Sequence, residues 1–332
     1  MMLSRLVAAL AVLTLAGCGV GDPPATSSSP TSDGGATFPI EVEHKYGTTT
    51  ISSKPERIVT LGLSDQDAVL ALDAKPVGAI DWFLERPYGK WPWTKDLWGD
   101  TPPEIVGERD DYNLEKILNL KPDLILAQYS GMSKEQYDEL SKIAPTVGQP
   151  VGFEDYGAPW QDMFLLGAKA MGHEAAAKEQ IAAVDDKFAA VREEHPEWKD
   201  KTVAVVDPYE SGKFTVFQET DPKAAFLVEL GFTVPEEINK AARESVYGNA
   251  VEISSERLDM IDRDLIVILT FDVPAAQQQL AANPVFQELA AVKEGRVLYV
   301  PYEEPAIGAA LSFNTVISIP YAIDEFVPLL AK

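Results

Sequence analysis

Short apolar runs of strand type alternate with helical segments along most of this 332-residue chain, and this alternation constrains the fold more than any other feature. The predicted strands are 57–61, 77–81, 123–127, 202–206, 265–270 and 296–300. The predicted helices between them are 65–72, 113–120, 133–143, 222–230, 255–261 and 283–290. Such alternation indicates parallel sheets covered by helices, so the sequence predicts an α/β fold.

A stretch without strand-type runs, from Pro159 to Pro196, separates the two series of strands. Gly172 is expected to divide it into two helices. The second helix has apolar residues three and four positions apart with charges between them, and it is about 33 Å long at 1.5 Å per residue. We therefore predict two Rossmann-like lobes with mainly parallel sheets, joined by a single long α-helix. The predicted N-terminal lobe, linker helix and C-terminal lobe are 38–173, 174–195 and 196–332.

The first 18 residues have the pattern of a secretory signal. Arg5 supplies a positive charge, and the apolar run Leu6–Leu15 is too short to span a bilayer. The run leads through Ala16 and Gly17 into Cys18, which looks like a bacterial lipobox whose thiol is acylated. The alternative is an ordinary secretory signal that happens to contain a cysteine. We predict a signal peptide over 1–18 and an extracytoplasmic protein, lipid-anchored through Cys18 to the outer face of the cell membrane.

Composition restricts the partners of the mature chain. The full chain has a formal charge of −24, and removal of the signal peptide takes away one positive charge, Arg5. This acidity disfavours nucleic acid and anionic lipid surfaces, because both are polyanions, and it counts mildly against an anionic ligand. Cys18 is the only cysteine, so the folded body has no disulfide. Residues 19–37 consist almost entirely of small and polar residues and are predicted to be a disordered tether.

Five sequence blocks occur in an order that is similar to one family. They are Pro55-Glu56-Arg57-Ile58-Val59, Asp67–Leu72 with Lys75–Ala79, Asn113–Ile117 with Leu120–Ile125, Ile253–Leu258, and Asn283–Phe286 with Leu289–Val297. The set resembles the substrate-binding lipoproteins of ABC importers for ferric siderophores, haem and cobalamin. The resemblance covers about 55 to 330 and implies two α/β lobes joined by one long helix.

Two glutamates begin corresponding helices of the two lobes, Glu115 and Glu256. The family resemblance implies that these carboxylates lie on the lobe tips and pair with arginines of the importer permease. Rigid, exposed charges suit reversible docking. The alternative is that each acid only interacts favourably with the positive end of its own helix.

An aromatic cluster follows the second predicted strand and contains Trp82, Phe83, Tyr88, Trp91, Trp93 and Trp98. Pro and Gly residues interrupt it, so it is predicted to be a loop at a strand end, where α/β lobes bind ligands. At least two of Trp82, Trp91 and Trp93 are expected to face the ligand, and Tyr88 is a further candidate. The alternative is a small core that stabilises a long loop.

Arg109 lies six residues before Glu115. In ferric-hydroxamate binders of the family, an arginine at this spacing contacts the iron-bound oxygens, and a guanidinium can bridge two such oxygens. A surface ion pair with Glu108, Asp110 or Asp111 is the alternative. The remaining ligand candidates follow strands or are expected to face the cleft, and they are Tyr129, Trp160, Tyr209, Arg243 and Tyr247, with Phe271 weaker.

Residues for catalysis or metal capture are not grouped in the sequence. The three histidines, His44, His173 and His195, are not expected to converge, and no phosphate loop or serine elbow occurs. We predict a monomeric, non-enzymatic binding protein without a cofactor, which takes up iron only within a ferric siderophore, preferably a hydroxamate, and delivers it to an ABC importer permease. The alternative is haem, with Tyr129 or Tyr209 as its axial ligand, or a cobalamin-type ligand. An extracellular hydrolase is a remote alternative.

Overall fold

A computed structural model describes residues 36–82 and 91–332. The predicted signal peptide with Cys18, the tether up to residue 35, and Phe83 and Tyr88 lie outside the described residues. Within the described part, no helix is both long and apolar enough to cross a membrane.

The N-terminal lobe is built on a sheet of six strands beside a separate two-stranded hairpin. Its elements are β1 (Ile40–His44), β2 (Gly47–Ile51), β3 (Ile58–Thr60), α1 (Asp65–Ala71), β4 (Gly78–Asp81), α2 (Lys95–Trp98), β5 (Glu104–Glu108), β6 (Asp111–Tyr112), α3 (Leu114–Leu120), β7 (Leu124–Leu126), α4 (Lys134–Leu140), β8 (Thr146–Val147) and α5 (Trp160–Met171). The sheet order is β6-β5-β4-β3-β7-β8, and only the β5–β6 pair is antiparallel. Strands β4, β5 and β6 are added on one side of β3, and strands β7 and β8 are then added on its other side. This creates a topological switch point between β3 and β7.

The long helix α6 (Glu174–Glu194) follows α5 and confirms the helix predicted from the sequence. Gly172 ends α5 with φ of 77°, a left-handed conformation that glycine adopts without steric cost. Val184, Phe188 and Val191 are buried along one side of α6, as their spacing predicts. They belong to one continuous apolar core that includes side chains of both lobes.

The C-terminal lobe has a mixed five-stranded sheet in the order β11-β10-β9-β12-β13. Its elements are β9 (Val203–Glu210), β10 (Lys213–Phe217), α7 (Pro222–Glu229), α8 (Glu236–Arg243), β11 (Ala250–Ser254), β12 (Leu265–Thr270), α9 (Val273–Ala281), α10 (Pro284–Glu288), α11 (Ala290–Lys293), β13 (Val297–Pro301), α12 (Ile307–Phe313) and α13 (Ser318–Leu330). Strands β9, β12 and β13 are parallel, whereas β10 is antiparallel to both of its neighbours.

All six predicted strands are present, and most predicted helices lie where their patterns indicate. Two helices differ. The segment Ser255–Ile261 is a 3-10 helix with a kink at Arg257. The helix predicted over 283–290 divides into α10 and α11, because Leu289 has extended backbone angles. The prediction did not include the β1–β2 hairpin or the antiparallel strands β10 and β11.

Candidate ligand cleft between the two lobes

A cavity of about 1170 Å³ opens between the lobes. Its N-terminal wall consists of residues that follow β3, β4, β5 and β7, together with segment 152–157. Its C-terminal wall consists of residues within 218–223 and 243–249. The N-terminal wall of the cavity therefore lies at the carboxyl ends of the parallel strands beside the switch point, where open α/β sheets bind ligands.

The buried carboxylate of Asp65 connects two loops whose residues Leu63 and Tyr129 line this cleft. Its Oδ2 accepts hydrogen bonds from the backbone N–H groups of Gly62 (2.8 Å) and Gln128 (2.9 Å), and its Oδ1 accepts one from Tyr129 (3.2 Å). These three donors join the loop after β3 to the loop after β7. Burial raises the pKa of Asp65 to about 6, although the three N–H groups favour the charged form.

Three aromatic side chains, Trp82, Tyr129 and Tyr156, pack against one another in the N-terminal wall of the cleft. The ring of Tyr156 lies edge-on to both Tyr129 (5.3 Å between centroids) and Trp82 (6.2 Å). Its hydroxyl donates to the carbonyl of Ser130 at 3.1 Å. A Cβ atom on Gly131 would lie 2.3 Å from that hydroxyl, so the glycine makes room for Tyr156.

Arg109 is presented to the cleft by a two-residue turn between β5 and β6. Its φ of 49° is left-handed, which is uncommon for a residue with a long side chain. Its guanidinium lies 5.4 Å from the ring centroid of Trp82, a cation–π distance. It forms no ion pair with any carboxylate of the described part, so the surface pair considered as the alternative is not formed there.

The opposite wall contains a loop that is held rigidly by polar contacts. Ser245 Oγ accepts hydrogen bonds from the N–H groups of Tyr247 (3.0 Å) and Gly248 (3.3 Å), and donates to the carbonyl of Ala250. Val246 and Tyr247 remain 93% and 60% exposed on this ordered loop. These side chains give the C-terminal wall exposed apolar surface that faces the cavity.

Charges along the cleft are nearly balanced. The lining includes three basic side chains, Arg109, Lys223 and Arg243, and four acidic ones, Glu154, Asp155, Glu219 and Asp221. Most of them are paired: Lys223 lies 2.9 Å from the buried Asp221, Lys45 contacts Asp155, and Arg243 contacts Glu236. Arg109 is the one basic side chain of this lining without a carboxylate partner in the described part.

Five of the predicted ligand residues are thus brought together around the cavity, namely Trp82, Arg109, Tyr129, Arg243 and Tyr247. Trp91 and Trp93 are not among the lining residues, which corrects the expectation that two of the three tryptophans face the cleft. Their rings stack at 5.3 Å and pack against Phe313 of α12. Trp93 also packs against Tyr321 of α13 and donates to the buried Asp67. Trp91 and Trp93 lie in the core because they pack against residues of α12 and α13.

Two further candidates also lie outside the main cavity. Trp160 is 5% exposed at the start of α5, and its Nε1 has no hydrogen-bond partner in the described part of the chain. Tyr209 is exposed and donates to Glu252. Because β9 and β10 are antiparallel, Tyr209 near the end of β9 lies at the opposite end of that pair from Gln218, which lines the cavity. The weaker candidate Phe271 packs on Tyr302 instead.

Glu115 and Glu256 are both exposed, and neither carboxylate has a hydrogen bond or ion pair within the described residues. Glu115 is in the first turn of α3, where Asn113 caps the helix by accepting from Lys116 N–H at 3.0 Å. Glu256 is in the first turn of the 3-10 helix. Both positions are accessible to a partner.

Several cleft residues could not be found from the sequence. Tyr156, Val246, Asp221 and Asn249 reach the cavity from loops without periodic patterns. The one sequence feature that could have pointed to these loops is the occurrence of aromatic and polar residues between turn-forming residues. In residues 36–82 and 91–332, no three His, Cys, Asp or Glu side chains converge in an arrangement that would hold a metal ion.

A ligand-sized cleft at a switch point, between two α/β lobes joined by a helix, defines the architecture of a two-lobe binding protein. The sequence pattern of the periplasmic binding protein family matches residues 60–304. The chain therefore belongs to that family.

Relatives and solved structures agree with this assignment. The chain is 30% identical over 304 residues to the Fe(3+)-citrate-binding protein of Bacillus subtilis, covering 89% of each sequence. It is 26% identical over 298 residues to the ferric-anguibactin-binding protein of Vibrio anguillarum, covering 87% of each. The structure of PiaA from Streptococcus pneumoniae in complex with ferrichrome superposes with a TM-score of 0.74 at 32% identity, covering 88% of this chain and 97% of PiaA.

Proposed function

We propose that this protein binds a ferric hydroxamate siderophore in the interlobe cleft and delivers it to an ABC importer permease. The relatives bind ferric anguibactin, ferric citrate and ferrichrome, which supports a ferric chelate as the ligand class. Because these chelates differ chemically, similarity alone does not select one of them. The chemistry of the cleft must select the chelate.

The Arg109 guanidinium, which has no carboxylate partner among residues 36–82 and 91–332, is the observation that carries the hydroxamate assignment. Three hydroxamates neutralise ferric iron, whereas three catecholates leave a trianionic complex. The described lining of the cleft has three basic and four acidic side chains and suits the neutral complex, since a trianion would need an excess of positive charge. One guanidinium suffices to bridge two partially negative iron-bound oxygens.

Haem is less well matched to this cleft. Tyrosine coordinates ferric haem through its phenolate oxygen. Burial raises the pKa of Tyr129 well above its ordinary value, and the hydrogen bond to Glu252 raises the pKa of Tyr209 to about 12. Both shifts oppose formation of the phenolate, and Tyr209 does not line the cavity.

The remaining parts of the proposal concern the cell surface. Acylation of Cys18 would hold the protein at the outer face of the cell membrane, with residues 19–37 as a tether. Glu115 and Glu256 would contact arginines of the permease, and their lack of partners in the described part supports this role. Iron enters only as part of the chelate, and no bond of the siderophore is broken.

The test is a tryptophan-fluorescence titration of the purified protein with a ferric trihydroxamate, a ferric tris-catecholate, ferric citrate, haem and cobalamin. Trp82 lines the cleft, so a bound chelate is expected to quench its emission. We expect saturable submicromolar quenching by the ferric trihydroxamate and at least tenfold weaker binding of the others and of the iron-free hydroxamate. Preferred binding of the catecholate or of haem would contradict the proposal.

A further inference from the structure

A second cavity, of about 340 Å³, lies between the start of α5 in the N-terminal lobe and α7 in the C-terminal lobe. We call it the side chamber. Its volume is within the range of small-molecule pockets. Its lining includes Phe153, Pro159 and Trp160 from one lobe and Pro222, Ala225 and Val228 from the other.

The side chamber adjoins the main cleft. Phe153, Gly157, Glu219 and Thr220 line both cavities. A ligand in the main cleft can therefore extend into the side chamber without leaving the space between the lobes.

The two cavities differ in chemistry. The main cleft is rich in charged side chains, whereas the side chamber has mainly apolar walls, and Glu219 and Glu229 are the ionisable residues of its described lining. Val228 is 37% exposed and Ala225 is half-buried, so apolar surface on α7 is left uncovered. Covering such surface with hydrocarbon is favourable, by about 25 cal/mol per Å².

A hydrogen bond between described residues of the two lobes spans the chamber. Gln161 Nε2 of α5 donates to Glu229 Oε1 of α7 at 3.5 Å, which is long for a hydrogen bond. An occupant of the chamber would touch α5 and α7 together. It would add apolar contacts between the two lobes at this point.

We infer that the side chamber binds an uncharged aliphatic arm of the ligand, so that the protein selects amphipathic chelates whose iron centre occupies the main cleft. This inference rests on the proposed function, because the arm belongs to the ferric hydroxamate bound beside Arg109. The chamber then determines specificity among chelates that share the same iron centre.

A homologous series of ligands tests this directly. The probes are a linear ferric trihydroxamate carrying an N-acetyl group at one end and its N-butanoyl, N-hexanoyl and N-octanoyl analogues. Each buried methylene is expected to tighten binding about fourfold until the chamber is filled. Ala225→Trp fills the chamber from α7 and is expected to abolish this dependence while changing N-acetyl binding less than twofold.

Ala183→Trp is the matched control, because Ala183 is exposed on α6 and lines neither cavity. It should keep the dependence on arm length, and circular dichroism checks that both variants fold. Tight N-acetyl binding with no dependence on arm length in the wild-type protein would overturn the inference and leave the proposed function standing. An equal dependence in Ala225→Trp would also overturn it. Failure of all four probes to bind would contradict the proposed function and, with it, this inference.

Discussion

Thr315 Oγ1 donates a hydrogen bond of 2.7 Å to Asp67 Oδ2, joining two residues that are 248 positions apart in the sequence. The same oxygen accepts from Trp93 Nε1 at 3.0 Å. Asp67 is fully buried, and its Oδ1 has no partner within the described residues. A single buried carboxyl group thus connects α1 of the N-terminal lobe with the segment between α12 and α13.

This buried group makes folding stability depend on pH. Burial raises the pKa of Asp67 to about 7, although the hydrogen bonds from Thr315 and Trp93 oppose the shift. The folded protein therefore binds more protons than the unfolded chain between about pH 4 and pH 7, and stability falls as pH rises through that window. Asp67→Asn keeps an acceptor oxygen but does not titrate.

Between pH 5 and pH 8, the free energy of unfolding should fall in both proteins. We predict that it falls by about 2 kcal/mol more in the wild-type protein than in Asp67→Asn. Urea unfolding at both pH values measures the difference. Asp65→Asn is not an equivalent control, because the Asp65 carboxylate accepts three backbone hydrogen bonds. Equal losses in the wild type and Asp67→Asn would contradict the prediction.

The left-handed turn at Arg109 predicts opposite effects on stability and on binding. Arg109→Gly removes a steric cost of about 1 kcal/mol, so the free energy of unfolding should rise. The same change removes the guanidinium, so ferric hydroxamate should bind about 10- to 100-fold more weakly. Asp73→Gly is the matched control, since Asp73 is exposed with φ of 59° and does not line the cleft. It should gain stability with unchanged affinity; a similar result for Arg109→Gly would exclude Arg109 from binding.

Gly107 is expected to be required for the turn that presents Arg109. Its φ is 151°, and a Cβ atom there would lie 2.1 Å from the carbonyl oxygen of Asp111. Gly107→Ala must displace backbone, so we expect a loss of at least about 2 kcal/mol in stability and weaker ligand binding. Gly47→Ala has a similar φ of 126° but no atom within 4 Å, and it should cost less and leave binding unchanged. Thermal unfolding and titration measure both effects, and equal costs would contradict the steric explanation.

The two exposed glutamates predict a defect in transport without a defect in binding. Reversing both charges, as Glu115→Arg with Glu256→Arg, should leave chelate affinity within twofold, because neither residue lines the cleft. Uptake of radiolabelled ferric chelate through the importer should fall at least tenfold, because like charges would oppose docking. Glu179→Arg on the exposed surface of α6 is the control and should transport normally. Normal uptake by the double variant would contradict the docking role.

Local patterns in the sequence predicted much of the fold. Buried parallel strands such as Leu124–Leu126 appear as continuous apolar runs, and the spacing of Val184, Phe188 and Val191 defines α6. The antiparallel strand β10 was not predicted, because it has five residues and its pairing with β11 spans a long insertion. Sheet partners of this kind depend on contacts that are distant in sequence.

The site was predicted less completely than the fold. Tyr129 could be placed because it follows a strand whose end faces the cleft, whereas Arg109 was placed by the family resemblance, through its spacing from Glu115. Trp91 and Trp93 were placed wrongly, since their partners Phe313 and Tyr321 come from helices more than 200 residues later. The sequence shows that these aromatic residues are close together along the chain. Which of them are buried in the core depends on how α12 and α13 pack against them.

The most direct test of the proposed function is a crystal structure of the protein with a ferric trihydroxamate bound. We predict that the chelate occupies the cavity between the lobes and that the Arg109 guanidinium moves within about 3.2 Å of an iron-bound hydroxamate oxygen. A chelate bound outside this cavity would contradict the proposal. So would a chelate within it that leaves Arg109 without any contact to the iron-bound oxygens.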